Sequence, residues 1–499
     1  MERKTLFFIL ILTLSCLLRT VYIKNIPLRV DGDSSRFAID GLKAWRTHQP
    51  FFATGWYGHT NGYFYLVGLV LKNFQNNLLG IRLLSALGGI LAILATYLFT
   101  KELFNKKVAL WTSLFLAVCP FHLVFSRVGT EVVWMTFFTP IILFLTAKKK
   151  IKHALFSGIF TGLAQYLYPG ARLVPILIIT FWIMLLIGKR ICLKKIFVLL
   201  FFCLLGFLLI YAPMIKYYLL HPKTYWARID IVGIFQSGWF ENELKTRSFQ
   251  DVLFKQIANS FSAFHLPTKG SLIWFYRTPF LDPWPIFLFT LGLIIGLFRI
   301  KKWQFQFLYF YLISGVFLAG VLTINSPSTS RYVILFPAVS CFIGIGITWI
   351  VEIFSKKKLI KNSVTFLLAG TLIAASLYSY WTHETKDVWS YDINTQIATF
   401  AGRYLATLSE NYDIYFLGND YMYYEAIPTL PFLTKKTGRD IFGPVENFSE
   451  RLDFQKRNFF IVIQTRENEL TILQAKFPEG KITPFYNPQG KFLFWLFEV

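Results

Sequence analysis

Long apolar runs separated by short basic connections constrain this chain more than any single motif does. A helix that crosses a bilayer needs about 20 mostly apolar residues. Such runs fall near 5–23, 78–100, 108–125, 131–147, 154–168, 172–188, 196–219, 284–299, 305–324, 331–353 and 363–381, so about 11 transmembrane helices are expected. Composition agrees with that reading. Of 499 residues, 55% are hydrophobic and only 16% charged, too apolar and too charge-poor for a soluble protein of this size. The fold class expected is a polytopic α-helical membrane protein.

The formal net charge of +24 does not point to nucleic acid, because the basic residues come in clusters between apolar runs. "MERK", "KELFNKK", "KKKIK", "GKRICLKK", "FRIKKW" and "SKKKLIKN" occupy alternate connections and fall on one side of the membrane if the spans are counted as above. The positive-inside rule makes that side, and the N-terminus, cytoplasmic. The chain is then a multi-pass protein of the plasma membrane, with its first span uncleaved, since no small-residue cleavage site follows "LRTVYIKN". The opposite face receives the loops 24–77 and 220–283, the turns "SRVGTE" and "YPGARL", and everything after residue 381. Four of the five cysteines lie inside apolar runs, and Cys192 sits in a basic loop, so neither a disulfide framework nor a cysteine metal site is supported.

Two domains are expected: a membrane module over 1–381 and an extracytoplasmic α/β domain over 382–499. In the second, "DINTQIATFAGRYLATL" has helical periodicity, "DIYFLG" and "FFIVIQ" read as buried strands, and "YNPQGKF" as a hairpin turn. "NFS" at Asn447 is a glycosylation sequon on the outer side.

The first external loop concentrates charge. "RVDGDSSRFAIDGLKAWR" brings Asp31, Asp33, Arg36 and Asp40 together, and Phe37, Gly41, Leu42 and Trp45 form one helical stripe, as in a helix lying along the membrane interface. "NGYFYLVGLVLKNF", residues 61–74, is a second such helix. Asp33 also suits the N-cap of the first, a role that does not exclude catalysis. Arg82, Arg127, Glu131, Arg172 and Arg331 sit at the outer ends of spans. Each alone reads as a snorkelling anchor; together, beside two aspartates, they suggest a pocket for an anion.

"GDSSRFAIDGLKAW", "IRLLSALGGILAILATYLFTKELFNKKVALWTSLFLAVCPFHLVFSR", "YPGARLVP" and "RYVILFPA" closely resemble the protein O-mannosyltransferase and aminoarabinose transferase superfamily, membrane glycosyltransferases of the GT-C class. The resemblance covers roughly residues 1 to 355. It implies an inverting transfer of a sugar from a polyprenyl-phosphate-linked donor to an extracytoplasmic acceptor, which can be protein, lipid or glycan; membrane lipid is the other partner. The family's Asp-Glu pair, whose Asp is the proposed base, falls on Asp33 and Ser34, so the Glu is replaced here. Its donor-phosphate Arg falls on Arg82, its Arg and acidic residue of the second external loop on Arg127 and Glu131, and its late "RY" on Arg331 and Tyr332. Catalytic roles are thus implied for Asp33 and Glu131, and donor-phosphate binding for Arg82, Arg127 and Arg331. Further candidates are Asp31, Arg36, Tyr276 and Arg277.

These residue types suit the chemistry. A polyprenyl phosphate is already a leaving group, so the protein must supply a base for the incoming hydroxyl and positive charge for the departing phosphate. A single displacement needs no second carboxylate as nucleophile. No cofactor is required by this reading, and a divalent metal is an open alternative: Asp31 and Asp33 form a D-x-D, and His59 and His265 lie in external loops. A transporter or lipid-carrier flippase, and a non-catalytic scaffold, are the competing function classes. A transporter should carry ionisable residues at mid-span and a repeat between its halves, and neither is evident; the Ser34 replacement is the best support for a scaffold.

Overall fold

The computed structural model describes residues 3–48, 58–74, 77–267, 279–354, 357–390, 392–408, 411–424, 427–447 and 452–499. The chain divides into two compact units, one of Met1–Lys24 with Gly41–Trp381, the other of Asn25–Asp40 with Thr382–Val499.

The larger unit is helical. Its helices are α1 (Arg3–Thr20), α2 (Gly32–Arg46, shared with the other unit), α3 (Asn61–Asn73), α4 (Asn77–Leu103), α5 (Lys106–Val118), α6 (Pro120–Val128), α7 (Met135–Ala147), α8 (Ile151–Leu167), α9 (Leu173–Ile187), α10 (Leu193–Leu220), α11 (Pro222–Val232), α12 (Trp239–Leu244), α13 (Phe249–Ser262), α14 (Pro283–Phe298), α15 (Trp303–Val316), α16 (Thr329–Tyr332), α17 (Phe336–Ile353) and α18 (Lys358–Thr385, also shared). Every run read as a span is helical. Among the described residues six helical segments are long and apolar enough to cross a membrane, and α5 with α6 makes a seventh if the bent pair counts as one. Length alone therefore reaches fewer than eleven: α1 carries Arg3, Lys4 and Arg19, and α7, α8 and α14 are short.

The run read as one span over 108–125 is broken by 57° between α5 and α6. Pro120 has no N–H to give the Leu116 carbonyl and cannot continue the helix. Arg19, fully buried on α1, donates to the freed carbonyls of Leu116 (3.2 Å) and Ala117 (2.9 Å), and its guanidinium also meets His122 Nδ1 at 2.8 Å. A buried cation here serves the backbone of a bend. Elsewhere small residues let helices touch: a Cβ on Gly158 or Gly206 would strike the Cys203 or Leu155 carbonyl across the α8–α10 contact.

In the smaller unit, α19 (Ile393–Leu405) precedes a five-stranded sheet of order β2-β1-β3-β5-β4, formed by β1 (Tyr412–Leu417), β2 (Arg439–Asp440), β3 (Arg457–Ile463), β4 (Lys481–Tyr486) and β5 (Phe492–Glu498). β1 is parallel to β2 and β3, while β5 is antiparallel to β3 and β4. Ile414, Phe416, Phe459 and Ile461 face one buried cluster, and Tyr415, Leu417, Phe460 and Val462 the other. Covering both faces is why these strands read as continuous apolar runs. The hairpin at 486–492 turns on Gly490 at φ 78°.

Residues 25–40 belong to this unit, although the sequence assigns them to the membrane module. The Val30 amide donates to Thr399 Oγ1 (3.0 Å), Thr429 Oγ1 donates to the Val30 carbonyl (3.0 Å), and Arg403 donates to the Leu28 carbonyl (2.7 Å). The segment carrying both aspartates is thereby tied to α19 and to the short helix α20 (Thr429–Thr434).

Candidate functional site

In the smaller unit the aspartates frame the start of α2. The cap falls on Asp31, where the sequence reading offered Asp33: the Ser34 amide donates to Asp31 Oδ2 at 3.1 Å, and the hydroxyls of Ser34 and Ser35 donate to the Asp31 carbonyl at 2.9 and 2.8 Å. Ser34, at the position of the family's Glu, is thus a buried partner of this turn. Burial, and then the neighbouring Asp33, push the Asp31 carboxyl up to about 7. Asp33, one position into the helix, is exposed. Arg36 is held by Asp40 at 2.9 Å, one turn on along the same helix.

In the larger unit Glu131 opens a short 3-10 turn just after Gly129, whose φ of 99° ends α6. Glu131 is buried, and its Oε1 lies 3.6 Å from His59 Nδ1. Burial and the nearby Arg228 cation push the His59 imidazole down to about 3, so the ring is neutral near pH 7 and the contact is not an ion pair of full charges. Gly58 sets this up. At φ 73° it lies against the backbone of Ala227 and Arg228, where a Cβ would come within 2.8 Å of the Arg228 nitrogen. Tyr63 donates to the Gly129 carbonyl at 3.2 Å, and burial followed by the Glu131 charge raises its hydroxyl pKa.

Tyr168 joins this polar group to a cavity of about 280 Å³. Burial raises the Tyr168 pKa, with Arg228 and Arg331 opposing and Glu131 adding to the shift. The cavity takes Leu173, Ile176 and Ile334 as part of its wall, and three arginines, Arg172, Arg228 and Arg331, are among its lining residues. Arg172 donates to the Tyr225 carbonyl at 2.8 Å and stacks on the Tyr225 ring at 4.2 Å; Arg331 donates to the Ile324 carbonyl at 2.6 Å. For Arg228 no hydrogen bond or ion pair is found among the described residues. Guanidinium groups engage phosphate oxygens, and apolar side chains accept hydrocarbon, so arginines beside an apolar wall suit a ligand that has both parts.

Of the residues singled out from sequence, Glu131, His59 and Arg331 come together around Tyr168 and Arg228. Arg82 donates to the carbonyls of Ile23 (2.9 Å) and Lys24 (3.2 Å), and Arg127 to those of Leu18 and Val21. Arg127 thus holds the carboxyl end of α1, where helix carbonyls lack internal partners and a cation is favoured, and Arg82 holds the turn that follows it. His265 pairs with Thr290 Oγ1 at 3.1 Å. Tyr276 and Arg277 lie outside the described residues. Arg228 escaped the sequence reading, its only signal being a cation in an aromatic loop.

The described candidates Asp31, Asp33, His59 and His265 do not fit a divalent cation. Among the described residues no three His, Cys, Asp or Glu side chains converge. Asp31 is buried on the Ser34 amide, and the two histidines have different partners.

The fold is that of the GT-C glycosyltransferases. ArnT from Cupriavidus metallidurans bound to undecaprenyl phosphate superposes with a TM-score of 0.60 at 12% identity, covering 99% of this chain and 97% of that one. The archaeal oligosaccharyltransferase AglB from Archaeoglobus fulgidus, in complex with an inhibitory peptide and a dolichol-phosphate, superposes with a TM-score of 0.58 at 13% identity, covering 99% and 74%. In sequence, residues 59–217 match the dolichyl-phosphate-mannose-protein mannosyltransferase family model, a stretch that holds His59, Arg82, Arg127, Glu131 and Arg172. No curated protein matches the chain.

Proposed function

We propose that this chain is an inverting glycosyltransferase that moves a sugar from a polyprenyl-phosphate-linked donor to an acceptor protein, lipid or glycan at the outer face of the plasma membrane. The observation that carries the proposal is the cavity in which Arg172, Arg228 and Arg331 meet an apolar wall. A lipid phosphate has these two parts, an anionic head that guanidinium groups grip and a chain that apolar side chains accept. The solved neighbours with bound undecaprenyl phosphate or dolichol-phosphate support the same class of donor.

In the reaction an acceptor oxygen bonds to the anomeric carbon from the face opposite the phosphate, and the bond from that carbon to the bridging oxygen breaks. The bridging oxygen leaves with the phosphate, which gains negative charge, and the three guanidinium groups stabilise that charge as it develops. Asp33 is assigned the acceptor's proton. It is exposed on the first turn of α2, and a carboxylate is the group type that accepts a hydroxyl proton. Glu131, beside a neutral His59, is assigned to position the acceptor or the base. The membrane orientation follows the basic connections: N-terminus in the cytoplasm, C-terminal domain outside.

The test is transfer of radiolabelled sugar from polyprenyl-phosphate donors to membrane extract by purified protein, wild type against Asp33→Asn. The wild type should transfer, and the variant should fold but fall by ~10²–10⁴. Equal transfer by both would remove Asp33 as the base, and silence of the wild type with every donor would sink the reading.

A further inference from the structure

A second cavity, of about 230 Å³, lies in the larger unit at the far ends of the helices that build the first. α15 contributes Phe305 to this one and Gly315 next to the arginine cavity, and the stretch from Ile334 to Thr348 spans the two, roughly 20 Å at 1.5 Å per helical residue. Its rim belongs to the basic connections "KELFNKK" and "FRIKKW".

The lining is rich in donors. Arg299, Lys302 and the Gln304 amide have no side-chain partner among the described residues. Asn105 spends its carbonyl oxygen on the amides of Lys107 and Val108, at 2.9 and 3.1 Å, which leaves its NH2 group as a donor. The one carboxylate among the lining residues, Glu352, pairs through Oε1 with Lys107 at 3.2 Å, a contact exposed to solvent. The amino end of α15 opens beside Lys302 and adds the positive end of a helix dipole. The remaining wall is apolar, with Phe104, Ile295, Phe305 and Ile345, and Trp349 stands 40% exposed at its edge. Two cations unpaired among the described residues and two side-chain amides, against one paired carboxylate, favour an anion, and an apolar wall with an interfacial indole favours one attached to hydrocarbon.

We infer that this cavity binds a phosphate group, that of an anionic membrane lipid of the cytoplasmic leaflet, at a site separate from the donor cavity. The inference uses the proposed sidedness and is independent of the transfer reaction. The cytoplasmic leaflet is the anionic one, so the cations and their ligand meet on one face.

The experiment is native mass spectrometry of the full chain in detergent with added phosphatidylglycerol, phosphatidylcholine or inorganic phosphate, on wild type, Arg299→Gln/Lys302→Gln, and a Lys189→Gln/Arg190→Gln control at two exposed basic residues that are not among those lining the cavity. Wild type and control should retain phosphatidylglycerol at least tenfold over phosphatidylcholine, and the cavity variant should lose that preference. Displacement of the lipid by inorganic phosphate at equal concentration would assign the site to free anions and overturn the lipid source. Equal losses in both variants, or none in either, would overturn the site itself. The single variant Lys302→Gln, at an exposed position, gives the same reading at reduced amplitude should the double variant fail to fold.

Discussion

Arg228→Met is the cleanest probe of the donor cavity. Arg172 and Arg331 each hold a backbone carbonyl, and Arg172 also stacks on Tyr225, so their removal would disturb the wall as well as the charge. Arg228 faces the same cavity with no hydrogen bond or ion pair among the described residues. Methionine keeps a long apolar stem, so the stability lost should stay within about 0.5 kcal/mol, as for a substitution that breaks no buried contact. A hydrogen bond to a charged group contributes about 1.5–3 kcal/mol, and about 1.4 kcal/mol is a factor of ten in rate. The variant should therefore lose about 10- to 150-fold in kcat/KM for the lipid-phosphate donor. The assay is donor titration in proteoliposomes, paired with thermal unfolding of the same samples. Unchanged kcat/KM in a folded variant would refute the argument that Arg228 meets the leaving phosphate. A loss matched by a lowered melting temperature would refute the claim that its role is electrostatic.

Three further outcomes are expected. Asp31 has an ordinary carboxyl pKa of 3.8 when unfolded and one near 7 when folded, so the folded chain binds this proton more tightly. The group thus favours folding below about pH 4, and that stabilisation is lost as pH rises through 7; Asp31→Asn, which still accepts the Ser34 amide, should flatten the change in melting temperature between pH 5 and 8, and an unchanged slope would contradict this. Gly58→Ala places a methyl against the Arg228 backbone at a positive φ and should cost about 1–3 kcal/mol in thermal unfolding, with activity falling as His59 and Arg228 shift. Arg82→Met leaves the Ile23 and Lys24 carbonyls without their donor and should destabilise the chain by about 1–3 kcal/mol, while the donor KM of the folded fraction stays unchanged.

Helix positions were legible because spanning segments must be apolar along their whole length, and the amphipathic stripes of α2 and α3 were equally plain. The strands at 412–417 and 457–463 and the hairpin at 486–492 were legible for a similar reason, being buried on both faces or turned by glycine. What stayed hidden depends on contacts far apart in sequence. Val30 meets Thr399 across 369 positions, and nothing in "LRVDGD" announces a partner in the C-terminal domain. The break at Pro120 could have been read from the proline, but its remedy, Arg19 from another helix, could not. Asp31 and Asp33 compete for one cap two residues apart, a difference finer than the uncertainty of a helix start. The contacts of Arg82 and Arg127 with backbone carbonyls at and just beyond the end of α1 are likewise invisible in one dimension. Arg228 is marked by no motif, and only the backing of its helix onto Gly58 brings it to His59.

The position of the lipid phosphate decides whether Arg228 and Arg331 serve the donor. The most direct measurement is a cryo-electron microscopy structure of the full chain with polyprenyl phosphate. It should place the phosphate within hydrogen-bond reach of Arg228 and Arg331, with the chain along Leu173 and Ile176. A phosphate bound elsewhere, with that cavity empty at saturating ligand, would contradict the account.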